Sequence, residues 1–167
     1  MASPKDYAAA TLNDHVGHDF GASAPVLLDQ QRIEGSAGCT GDDQWIHVDV
    51  ERARAQSQFG NTIAHGLLLL SLIPAMHFEL GVYPADAINV LNYGFEKVRF
   101  LAPVPAGTAV YLRTELAEVS PKQPGDVSSK TPTCIRSRPK ASDRCNVRPR
   151  RPSKGVGPLT RTLLGEP

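Results

Sequence analysis

Between Ile63 and Leu80 the chain is apolar on nearly every side of a helical projection: Ile63, Ala64, Leu67, Leu68, Leu69, Leu70, Leu72, Ile73, Ala75, Met76 and Phe78. A helix with so little polar face is wrapped by other structure instead of lying on a surface. The run from Gly66 to Met76 is too short to cross a bilayer, so protein must do the wrapping. Thr62 is the expected N-cap of a helix running from Ile63 to Leu80. Pro74 should kink that helix, because it removes one internal hydrogen bond and crowds the preceding turn.

Downstream of Leu80 the chain has strand chemistry. Ile88 to Phe100 and Thr108 to Val119 are the expected strands, joined through the turn Pro103-Val104-Pro105-Ala106-Gly107. In the second strand Val110, Leu112, Thr114 and Leu116 alternate with Tyr111, Arg113 and Glu115, so the first set should face the core. One buried helix followed by antiparallel strands predicts an α+β domain whose sheet curls around the helix. Upstream, residues 1–11 read as a loose lead-in, and Ala24 to Leu28 as a short strand. Asp29 should cap a weak helix ending near Gly35, and Asp49 a second one from Val50 to Gln56.

Composition splits the chain in two. Residues 121–167 hold eleven Lys/Arg, three Asp/Glu and eight of the fourteen prolines, while all ten aromatic residues lie before position 112. The predicted organisation is therefore a folded domain over 1–120 and a basic Pro/Arg-rich tail over 121–167. The tail shows neither strand nor helix period, so it should be disordered and the sheet should lack its last strands. A shifted reading frame in GC-rich coding DNA would produce such a tail. Without interleaved aromatics or a recognition module, its charge gives only unspecific phosphate affinity, so no specific nucleic-acid partner is expected. Cys39, Cys134 and Cys145 cannot all pair, and no Cys/His cluster has zinc spacing. With no long apolar leader segment, the expectation is a reduced, cytoplasmic chain with no membrane partner.

Chemistry concentrates in Thr40-Gly41-Asp42-Asp43-Gln44-Trp45-Ile46-His47 and in Ala64-His65-Gly66. Asp42 and His47 stand five residues apart. On one helix that spacing would turn them to different faces, so a loop over Gly41 to Ile46 must bring them together. A carboxylate and an imidazole sharing one water form a proton-handling pair. Taken alone, Asp42 could equally be a turn former and His47 a satisfied core histidine. Gly66, in the first helical turn, offers a free backbone N–H and no side chain. It could serve an oxyanion or simply ease helix packing. His77 reads as structural.

The first of these segments resembles the signature of MaoC-like (R)-specific enoyl-CoA hydratases, Ser/Thr-Gly-Asp-x-Asn-Pro-Leu-His, with Gln44-Trp45-Ile46-His47 in place of its second half. Ala64-His65-Gly66 and Asn92-Tyr93-Gly94-Phe95-Glu96-Lys97-Val98-Arg99-Phe100 resemble the same family, and the likeness runs over about residues 12 to 120. It implies a single hotdog fold, a sheet wrapped around a long helix. It also implies a hydratase/dehydratase that adds water to trans-2-enoyl-CoA to give the (R)-3-hydroxyacyl-CoA. Asp42 would then be the general base on the water, and His47 would orient that water and share in protonating the α-carbon. Gly66 would be the oxyanion donor, with Gln44 and His65 shaping the pocket. No metal or redox cofactor is implied. The acyl carrier would be coenzyme A before acyl carrier protein, in a homodimer with pockets near the subunit interface. Two other readings remain open, a catalytically silent hotdog remnant and an acyl-CoA-binding or thioesterase hotdog protein.

Overall fold

The computed structural model describes residues 3–121, 126–137 and 159–165. A 3-10 turn over Ala9–His15 leads into strands β1 (Asp19–Ala22) and β2 (Val26–Leu28). Five helices come next: α1 (Gln30–Thr40), α2 (Trp45–Val48), α3 (Val50–Gln56), α4 (Gly66–Ser71) and α5 (Ile73–Leu80). Then come β3 (Asn89–Phe95), β4 (Thr108–Glu115), β5 (Glu118–Pro121), β6 (Asp126–Ser137) and β7 (Leu159–Gly165). All these strands join one antiparallel sheet in the order β1-β4-β6-β7-β3, with β2 also on β4 and β5 also on β6.

The core lies between the helices and this sheet. Ile73, Met76 and Leu80 recur at helical spacing along α5 and meet Val110, Leu112 and Leu116, which recur at strand spacing along and just beyond β4. The alternation expected in β4 holds: Val110, Leu112 and Thr114 are buried, whereas Arg113 and Glu115 are exposed. Phe20, Leu28 and Ile33 close the same cluster from β1, β2 and α1.

Several local expectations need correction. The apolar stretch is two helices and not one kinked helix. It divides at Leu72, and Pro74 sits in the first turn of α5, where its missing N–H has no internal partner to lose. Thr62 does not cap. Its buried hydroxyl donates to Gln30 Oε1 at 2.6 Å, and the helix starts four residues later. Leu67 and Phe78 are exposed, so the wrapping is incomplete. Asp29 and Asp49 cap α1 and α3 as expected, each carboxylate accepting an N–H three residues on at 2.9 Å. Helix α1, however, continues past Gly35 to Thr40, held by buried Ile33 and Ala37. The lead-in is anchored: the Tyr7 hydroxyl donates to Val82 O at 2.7 Å, and the Ala9 N–H donates to the Asp86 carboxylate. Burial raises the Tyr7 hydroxyl above its ordinary pKa, so it stays a donor.

The largest difference lies beyond Pro121. Where the sequence reading expects a disordered tail and no further strand, β6 and β7 take places in the sheet; residues 122–125 and 138–158 lie outside the described residues. The reason is a core of hydroxyls in place of apolar alternation. Ser128, Thr131 and Thr133 of β6 are buried. Thr114 Oγ1 donates to Pro132 O, Thr133 Oγ1 donates to Thr131 O, and the two hydroxyls lie 3.1 Å apart. Satisfied hydroxyls let a strand be buried without the large apolar residues that signal one.

Candidate active site

His47 lies in the single turn of α2, between a loop that begins at Gly41 and the capped start of α3. The sequence reading places a loop over the whole of Gly41 to Ile46, whereas Trp45 and Ile46 are already helical. Gly41 supplies the reversal. At φ +76° it ends α1 in the left-handed region, where a glycine has no steric cost, and it turns the chain so that Asp42 leaves toward His65. Trp45 is covered by the Arg52 guanidinium, 4.4 Å from its ring centre, so the aromatic residue anchors α2 to α3.

His47 is held through its Nδ1, its backbone N–H and its carbonyl. Its Nδ1 donates to Ile63 O at 2.6 Å, since a carbonyl can only accept, and that leaves Nε2 as a bare acceptor. Its own carbonyl accepts from Gln30 Nε2 at 2.9 Å, and Ile63 N–H donates to Ile46 O at 3.0 Å. The ring stacks on His65 with centroids 3.9 Å apart. His65 Nε2 donates to the backbone carbonyl of Asp42 at 2.8 Å and lies 4.0 Å from that residue's carboxylate. His65 Nδ1 is thereby left without its hydrogen, and it is buried with no partner among the described residues. The Asp42 side chain is about half exposed, while both imidazoles are buried.

A carboxylate oxygen of Asp42 and one ring nitrogen each of His47 and His65 lie within 4.8 Å of one another. The structure thus brings together Asp42 and His47 and adds His65 to them. As a metal cradle the trio is poor. The two ring planes are only 28° apart, so their in-plane lone pairs run side by side instead of converging.

Beside this cluster is a cavity of about 260 Å3, lined by His47, Ala64, Gly66, Leu69, Phe100 and Val104 among others. Apart from His47 its walls are apolar. Gly66 opens α4, and its N–H has no acceptor among the described residues. The space its missing side chain leaves is already used, because the Phe100 ring lies 2.9 Å from the position a Cβ would take. A side chain at this position would have to push the half-exposed Phe100 ring aside. Gln44, expected to shape the pocket, is exposed at the start of α2 and lines no part of this cavity; His65 lies behind His47 and does not line it either. Sequence reasoning missed Gln30, Thr62 and Phe100 as parts of the site. No motif marks the first two, since they act only through contacts across 17 and 32 positions of chain. Phe100 closes the Asn92–Phe100 motif, but its role depends on where the segment after β3 folds.

His77 is structural, as expected. Fully buried on α5, its Nδ1 accepts from the Tyr83 hydroxyl at 3.2 Å and its Nε2 donates to Thr133 Oγ1 at 3.1 Å. Desolvation lowers its pKa to about 4, so it is neutral near pH 7.

Comparison with known proteins agrees with this architecture. Residues 11–133 match the family described as MaoC like domain. The 3-hydroxyacyl-thioester dehydratase Z of Mycobacterium tuberculosis is 38% identical over 139 residues, covering 83% of this chain and 90% of that protein. Among solved structures, a monoamine oxidase regulatory protein from Archaeoglobus fulgius superposes with a TM-score of 0.68 at 20% identity, covering 91% of each chain. The (R)-hydratase from A. caviae involved in PHA biosynthesis superposes with a TM-score of 0.61 at 16% identity, covering 91% of this chain and 96% of that one. The antiparallel sheet packed on its helices is thus the hotdog fold, and the chain belongs to the MaoC-like dehydratase family.

Proposed function

We propose that this chain adds water to trans-2-enoyl-CoA thioesters to give (R)-3-hydroxyacyl-CoA, and catalyses the reverse dehydration. The observation that carries the reading is the proximity of Asp42 to His47, whose ring lines an apolar cavity that Gly66 lines as well. The thioester carbonyl would accept from the Gly66 N–H, which stabilises the enolate-like oxygen formed during attack. A water held between Asp42 and the bare Nε2 of His47 would bond through its oxygen to C3. One of its protons passes to the Asp42 carboxylate and is relayed through His47 Nε2 to C2, so the water's atoms are all accounted for and no external acid is consumed. The Ile63 carbonyl, already bonded to Nδ1–H, stabilises the transient imidazolium.

The similarity to a protein named as a 3-hydroxyacyl-thioester dehydratase supports the thioester class. Coenzyme A is the proposed carrier, in the cytoplasm. Among the described residues no helix is long and apolar enough to cross a membrane. A homodimer is proposed as the working form, because β3 ends the sheet order and carries exposed Leu91 and Phe95. The test is loss of the conjugated enoyl absorbance of crotonyl-CoA. Asp42→Asn and His47→Ala should each lower kcat by about 10²–10⁴-fold, the usual worth of a general acid or base. A folded wild-type chain with no hydration activity, or variants as active as wild type, would refute the assignment.

A further inference from the structure

The Asn92–Phe100 motif ends on a residue that the hydration chemistry leaves unused. The Phe100 ring fits into the space that Gly66 leaves open, and with Leu69, Leu101 and Val104 it walls the cavity beside His47. Yet Phe100 is 53% exposed, so its far side meets solvent. The ring is a partition between the cavity and the outside. Its backbone belongs to neither helix nor strand, whereas Leu69 is carried by α4 and packs against the core. Of the walls outside helix and strand, it is the Phe100 ring that is seated on Gly66.

We propose that Phe100 sets the acyl length this chain accepts and favours short acyl chains over long ones, an inference that rests on the cavity being the acyl-thioester site proposed above. The lining supports this role: the cavity of about 260 Å3 is bounded on one side by the Phe100 ring, which fills the space beside Gly66. A longer chain must push the ring outward, against its packing on Gly66, or leave methylenes in water. Each methylene so misplaced changes kcat/KM by about ten- to 200-fold.

The experiment compares the wild-type chain with Phe100→Ala and Phe100→Leu. Two readouts are taken: kcat/KM for the butenoyl, hexenoyl and decenoyl thioesters of coenzyme A, and calorimetric Kd for the saturated butanoyl, hexanoyl and decanoyl thioesters, which cannot react. Wild type should favour the four- and six-carbon chains over the ten-carbon chain by at least about tenfold in both. Phe100→Ala should raise the decenoyl-to-butenoyl ratio of kcat/KM by at least about tenfold and lower the decanoyl-to-butanoyl ratio of Kd by a similar factor, and Phe100→Leu, with a smaller side chain, should give intermediate changes. Wild type treating all lengths alike, or two folded variants with unmoved ratios, overturns the proposal. If no enoyl thioester is hydrated but the binding ratios shift as expected, the partition role stands and hydration falls. If hydration proceeds and the ratios do not move, Phe100 falls alone. If no acyl thioester binds, both fall.

Discussion

At the scale of single residues, the site is defined by which atom of each imidazole is already engaged. Ile63 O takes His47 Nδ1, and Asp42 O takes His65 Nε2, so each ring is left with one bare nitrogen. Gln30 reinforces this from a distance, bonding His47 O through Nε2 and Thr62 Oγ1 through Oε1. Replacing Gln30 by Leu leaves the Thr62 hydroxyl and the His47 carbonyl unpartnered, and α2 can shift. We expect kcat to fall by about tenfold to 10²-fold with KM for crotonyl-CoA nearly unchanged, because a small misplacement of the imidazole harms the reaction more than binding. Steady-state kinetics on the folded variant decides this; an unchanged kcat would show that Ile63 and the stacked His65 suffice. The pair Asp42 and His47 was legible in the sequence because both lie in one short segment. Gln30 was not, because glutamine has no positional signature and its partners are remote in the chain.

At the scale of elements, the joint between α5 and β6 carries a pH dependence. His77 is neutral in the fold, with a pKa near 4 against about 6.5 in the unfolded chain. Its depressed value means that the unfolded state binds the extra proton first. The stabilising contribution is therefore complete above about pH 6.5, declines as pH falls toward 4, and is constant below. The full difference is roughly 3 kcal/mol. Urea unfolding across this window should show the decline, and His77→Gln should show a shallower one, since a neutral amide has no proton to gain. Equal slopes for the two proteins would mean that other groups govern the acid limb. The same joint explains why β6 was not foreseen. Threonine and serine at its buried positions look like a polar tail until the Thr114 and Thr133 hydroxyls are seen to bond backbone carbonyls and His77 to bond Thr133.

For the whole molecule, the sheet order leaves β3 with β7 as its one strand neighbour among the described residues, and with apolar side chains on its surface. Such an edge invites pairing with another chain. We expect the protein to run as a dimer in light scattering after gel filtration and Leu91→Glu to shift it toward monomer. A monomeric wild type would remove the homodimer from the proposed function. The helical character of the apolar stretch between Gly66 and Leu80, the alternation in β4 and the caps at Asp29 and Asp49 were all decided by the local sequence. In each case the physics is local, a repeat of apolar side chains or a carboxylate three residues before an N–H. The break at Leu72, the burial of hydroxyls in β6, the stacking of His65 on His47 and the seat of Phe100 on Gly66 were decided by tertiary structure alone. Each depends on contacts between segments far apart in the chain, and spacing along a sequence carries no record of what those segments meet.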